Sequence, residues 1–204
     1  MSESANNALE FYFDFSSPYG YLAAEKIDEL AAKYGRKVKW RPVLLGVIFK
    51  ATGAAPLTMV PFKGEYSKRD FVRSARFMGI PYNPPSRFPL PTQVAARAYY
   101  WLHDRDCAQA RAFAKAVYRA FFVDDRDISD MNVVLDIAVA VGADRAALAE
   151  AVESTEIKDR LKNEVAMALE KGVFGSPYIV CDGEPFFGAD RLPQLEARLA
   201  GKEF

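Results

Sequence analysis

The chain has 204 residues, of which 50% are apolar, 13% aromatic and 26% charged, and its 27 Lys and Arg balance 27 Asp and Glu. That length suits one domain, or a core domain carrying an insertion, and a balanced chain lacks the basic excess that nucleic acid binding needs. No run approaches the ~18 uninterrupted apolar residues of a membrane span, and Met1–Asn7 holds neither the basic region nor the apolar stretch of a leader, so the expectation is a cytoplasmic protein with no nucleic acid and no membrane as partner.

Leu9 to Phe15 is short, apolar and aromatic, which suits a buried strand. Ser16, Ser17 and Pro18 follow, and then a helical stripe at Ala23, Ile27, Leu30 and Tyr34, closed by Gly35. Val38 to Val43 alternates as a second strand. Strand, helix, strand is a βαβ unit with parallel strands and a right-handed crossover. Pro/Gly-rich loops at Gly53–Pro61 and Gly79–Pro91 flank a charged, helix-compatible segment, Lys63–Phe77. From Gln93 to Lys171 the pattern is mostly helical, with rows such as Phe113, Val117 and Phe121, and with Ser129-Asp130 and Asp144 as N-caps. Tyr178–Cys181 and Glu184–Phe187 read as strands joined by the hairpin signal Asp182-Gly183, and Gly188-Ala189-Asp190 opens a last helix. The order predicts a small α/β sheet interrupted by an all-helical insertion that leaves and rejoins one sheet.

The chemistry is bounded by what is scarce. Cys107 and Cys181 lie 74 positions apart, so a C-x-x-C pair and a thiolate zinc cage are excluded. His103 is the single histidine; with Cys107 four residues on it makes at most half a metal site, and no metal is expected. The reactive group would therefore come from a cofactor or cosubstrate. Ser17 before Pro18 reads as an N-cap, or as a hydroxyl aimed at an anion beside the first helical turn. Ser176-Pro177 reads as an ordinary strand start or as a cis-proline loop facing the Ser17 helix. Phe121-Phe122, Tyr99-Tyr100-Trp101 and Phe186 read as core; Phe187, before the Gly188-Ala189-Asp190 loop, is the aromatic with a possible site role.

Phe11 to Tyr19 with Tyr21-Leu22, then Arg41 to Leu45, Val173 to Pro177 and Gly188 to Leu192 stand in an order that resembles the 2-hydroxychromene-2-carboxylate isomerase family, which is similar to kappa-class glutathione transferases and to DsbA-like thioredoxin folds. The resemblance runs from about Leu9 to Leu199. It implies an α/β, thioredoxin-like (DsbA-like) sheet, with residues 1–45 and 172–204 forming a discontinuous domain and 46–171 a helical insertion domain. Ser17 and Gly20 stand where the DsbA-like C-P-x-C motif has its cysteines, so the thiol would come from bound glutathione, hydrogen-bonded by Ser17. Further implied glutathione contacts are the Ser176 backbone with Pro177 cis, Asp190 at the γ-glutamyl ammonium with Arg191 beside it, and Lys63 near the glycyl carboxylate, with Phe187 at the same loop. Two departures stand out: Ala54 occupies a kappa-class asparagine position, and Arg87 sits shifted from where an arginine is expected to hold a substrate carboxylate.

The implied activity is glutathione-dependent isomerisation of 2-hydroxychromene-2-carboxylate-type intermediates of aromatic-compound degradation, by reversible thiolate addition in a homodimeric enzyme acting on a small aromatic or chromene carboxylate. A kappa-class-like glutathione transferase would use the same thiolate and release a conjugate. A redox-inactive thioredoxin-like module would bind peptides at Ser176-Pro177 and have no affinity for glutathione.

Overall fold

A computed structural model describes residues 7–202; the leader expectation falls mainly on residues 1–6, which lie outside the described residues. Strand β1 (Ala8–Phe13) alternates Leu9, Phe11 and Phe13 onto one face, and all three are fully buried. Its parallel neighbour β2 (Lys37–Pro42) sets Trp40 opposite Phe11, with the indole packed edge-on against Phe11 and Phe13 at 5.1 and 5.3 Å. The crossover is two helices, α1 (Pro18–Ala24) and α2 (Ile27–Lys33), where the stripe predicted one. The Lys26 N–H turns to the Ala23 carbonyl at 3.0 Å, and this tightened turn lets Ile27 and Ala31 both be buried.

β3 (Tyr178–Cys181) runs antiparallel to β1 with Ile179 opposite Phe11, and β4 (Glu184–Phe187) runs antiparallel to β3. The order is β2-β1-β3-β4, so the N-terminal βαβ unit and the C-terminal hairpin share a sheet, as the sequence predicts. Asp182 and Gly183 turn that hairpin at φ of 52° and 86°, the two left-handed positions such a turn requires. A short 3-10 turn at Ala189–Arg191 then leads into α10 (Leu192–Leu199).

Between β2 and β3 the chain is helical: α3 (Leu45–Thr52), α4 (Lys63–Met78), α5 (Gln93–His103), α6 (Cys107–Phe122), α7 (Met131–Ala140), α8 (Arg145–Glu153) and α9 (Thr155–Glu170). Asp106, Asp130, Asp144 and Ser154 cap four of these with side-chain oxygens. The helices also resolve the sheet's edge. Outward carbonyls of β2 accept from the helical layer: Val38 from Arg111 at 2.9 Å, Trp40 from Tyr99 at 3.1 Å and Pro42 from Tyr100 at 2.8 Å. With these three acceptors taken by side chains of the helical layer, the edge of β2 is partly blocked against a further strand. One buried apolar cluster runs from Leu9 in the sheet to Leu161 in α9.

Candidate active site

The carboxyl end of β1 opens onto a groove of about 1830 Å³ whose walls come from α1, α3, α4, the 88–93 loop and the 174–176 and 187–193 segments. Ser17 is the N-cap of α1: its Oγ accepts the Gly20 N–H at 3.0 Å and donates to the Ser176 carbonyl at 2.9 Å. Ser17 is 4% exposed and Ser176 9%. The Ser176 hydroxyl in turn accepts the Asp14 N–H at 3.0 Å, and the Ser176-Pro177 bond is cis. The two serine-proline pairs singled out in the sequence, 159 positions apart, are therefore in direct contact. Among the described residues nothing pairs with the Ser176 N–H.

Gly20 fits because it has no side chain. A Cβ there would lie 2.7 Å from Ser176 Oγ and 2.8 Å from Tyr118 Oη, both nearer than real contacts allow. The position that resembles the second cysteine of a dithiol motif is thus closed to a thiol as this site is packed.

Asp14 is the residue that sequence reasoning passed over. Its carboxylate accepts the N–H groups of Ser16 and Leu45, each at 2.7 Å, and the Thr92 hydroxyl at 3.1 Å. Its carbonyl takes the buried Tyr118 hydroxyl at 3.0 Å. One carboxylate thus binds the end of β1 to the start of α3 and to the loop before α5. Burial pushes its pKa up, against the three hydrogen bonds that favour the charged form. A charged residue inside the aromatic run Phe13-Asp14-Phe15 was the available signal, since an acid there is tolerated only with donors around it. Tyr118 carried no comparable signal.

The remaining expected residues divide. Asp190 and Arg191 line the groove and pair with one another at 3.2 Å, but the Asp190 side chain is 73% exposed, a rim position and not a dry one. Phe187 lines the groove half-exposed, its ring against Phe174 at 4.6 Å, while Phe186 is core. Pro177 sits behind the wall, its carbonyl taking the Gly188 N–H at 3.1 Å and so tying the 188–190 loop to the Ser176 loop. Lys63 is exposed on the first turn of α4 and is not part of the groove lining. Ala54 lines the groove. Arg87 is held outside it by Asp127, whereas its neighbours Phe88 to Pro91 line it. The lining cations are Lys26, Lys33 and Arg191. The His103 ring stacks on Tyr99 at 5.8 Å, and the Cys107 thiol lies against the His103 carbonyl. Among the described residues no group of three His, Cys, Asp or Glu gathers for a metal, and no helix is long and apolar enough to cross a membrane.

The model of the DSBA-like thioredoxin domain matches residues 8–200. The 2-hydroxychromene-2-carboxylate isomerase of Sphingobium xenophagum is 32% identical over 94% of this chain and 97% of its own length. Glutathione S-transferase kappa 1 of Rattus norvegicus is 27% identical over 98% of this chain and 93% of its own. A solved structure of a 2-hydroxychromene-2-carboxylate isomerase superposes with a TM-score of 0.86 at 27% identity, covering 95% of both chains.

Proposed function

The chain belongs to the DSBA-like thioredoxin domain family and, within it, to the 2-hydroxychromene-2-carboxylate isomerases, and from that premise we propose that it is a glutathione-dependent isomerase acting on a 2-hydroxychromene-2-carboxylate-type substrate. The observation that carries this reading is the facing pair Ser17 and Ser176: a buried hydroxyl on one side of the groove and an unpaired backbone N–H on the other. A peptide-like ligand fits that pair, because the Ser176 N–H and carbonyl form a short backbone edge. Bound glutathione would supply the thiolate that adds to the unsaturated heterocycle and leaves again.

The chain's own residues would do the following. Ser176 takes the peptide through its N–H and carbonyl. A donor arriving at that carbonyl competes with Ser17, whose hydroxyl is then available to a sulfur as a charge-assisted hydrogen bond. Gly20, having no side chain, lets the Ser176 and Tyr118 hydroxyls pack against α1 beside Ser17. Asp190 and Arg191 offer both charges at the rim, suited to the two ends of an amino-acid zwitterion. Phe88, Leu90, Phe71 and Met78 form an apolar wall on which a flat ring can lie. Lys63 would contribute only by reaching in from α4. Of the lining cations, Lys33 is paired with Glu196, Arg191 serves the amino-acid end of glutathione in this reading, and Lys26 has no ion pair among the described residues, so the substrate carboxylate is assigned to Lys26. Two free cysteines, Cys107 and Cys181, support a reducing, cytoplasmic setting.

The test is calorimetric titration with glutathione followed by a product assay on 2-hydroxychromene-2-carboxylate. The proposal expects binding, isomerised product and no net loss of glutathione. Consumption of glutathione with conjugate release would make the protein a transferase, and absence of binding would leave a peptide-binding module.

A further inference from the structure

The groove contains a phenol that the reading above does not use. Tyr19, two residues beyond Ser17 on the first turn of α1, lines the groove together with Asp70 of α4. Its hydroxyl donates to Asp70 Oδ2 at 2.5 Å, the length of a hydrogen bond to a charged acceptor. Its ring is fixed edge-on against Phe71 at 5.0 Å. Asp70 is fixed in turn: Arg73 binds its other oxygen, and the Ser74 hydroxyl donates to Oδ2 at 3.3 Å. Burial and the bond to Asp70 hold the Tyr19 phenol well above its usual pKa, while Asp70, despite partial burial, is held below the carboxylate range by Tyr19 and Arg73. Both shifts leave the proton on tyrosine and the charge on aspartate.

A tyrosine hydroxyl has one proton and two lone pairs. Here the proton is committed, and among the described residues no donor is directed at the oxygen. We propose that Tyr19, oriented by Asp70, is a specificity-determining residue that accepts a hydrogen bond from a hydroxyl on the substrate, so that the groove selects hydroxylated unsaturated aromatic acids over their deoxy counterparts. This rests on the isomerase reading for the substrate class, whose members carry such a hydroxyl. No proton is transferred: the phenol keeps its own, and the substrate hydroxyl keeps its own. With its proton held by Asp70, Tyr19 has nothing to donate, so a carbonyl or ether oxygen at the same place would meet only lone pairs.

The experiment is calorimetric titration, with glutathione present, of 2-hydroxycinnamate against cinnamate. The expected result is a preference for the hydroxylated acid of about tenfold, the worth of one hydrogen bond to a charge-polarised acceptor. In Tyr19→Phe, which keeps the ring on Phe71, the two acids should bind alike. In Asp70→Asn the preference should fall to about threefold, because the freed phenol can then donate as well; this second variant decides the matter should Tyr19→Phe fold poorly. Equal binding by the native protein, no binding of either acid, or a preference that survives both substitutions would overturn the proposal. A native protein that discriminates but does not turn over the chromene would overturn the isomerase reading and leave Tyr19 in this role.

Discussion

The Ser17 hydroxyl accepts from Gly20 and donates to the Ser176 carbonyl, so removing it is felt in two places. From the cap alone, Ser17→Gly should leave the melting temperature almost unchanged, since glycine caps nearly as well as serine. The bond to Ser176 adds a buried partner, and the expected cost becomes about 1 kcal/mol, a fall of a few degrees in a thermal melt. Loss of the hydroxyl should also lower kcat tenfold to a hundredfold and reduce thiolate absorbance of bound glutathione at neutral pH. Unaltered absorbance would reduce Ser17 to a cap. Asp190→Asn is expected to weaken glutathione binding only about threefold, because a side chain that is 73% exposed and already paired with Arg191 is screened by solvent. A larger loss in titration would show that the loop closes over the ligand and dries the pair.

Helix α1 is seven residues long, and six of them are buried, so what it does is set by packing more than by its dipole. Gly20→Cys, which would restore the spacing of a dithiol motif, drives a side chain against Ser176 Oγ and Tyr118 Oη. It should destabilise the protein by about 1–3 kcal/mol as an overpacked core site does, measured by urea denaturation, and Ser17→Cys with Gly20→Cys should not yield an efficient disulfide catalyst. An active, stable double variant would show that α1 moves as a unit. Helix α4 carries Tyr66 and Phe77 into the groove lining, where both rings stay largely exposed, and Phe62 at its N-cap is more exposed still.

At the scale of the whole molecule, the buried cluster joins sheet and helices without a break. Residues 46–171, proposed as an insertion domain, should therefore not unfold apart from 1–45 and 172–204. The acid limb of stability has a definite sign. The hydrogen bond from Arg36 holds Asp182 below the usual carboxylate range, and at Glu10 the Lys171 bond and the Arg41 charge outweigh burial to the same effect. Depressed carboxylates contribute stability above their unfolded pKa and lose it as pH falls through the folded value. Asp14, raised by burial, acts the other way. One cooperative transition is expected, with a urea midpoint level from pH 7 to about 5 and falling below about pH 4; a separate early transition of the helices would contradict the joint core. The sequence by itself determined the strands, the hairpin turn, the capping aspartates Asp130 and Asp144 and the order of elements, because alternation, turn chemistry and caps are local and act within a few residues. It also marked Ser17 and Ser176 through their prolines. Only the tertiary structure decided that these serines touch, that Asp14 binds three segments, that Tyr19 meets Asp70 and that Arg87 faces Asp127 outside the groove. Each of those depends on which distant backbone donors and side chains the packed sheet brings within 3 Å or so of one another, and no pattern along the chain encodes that distance.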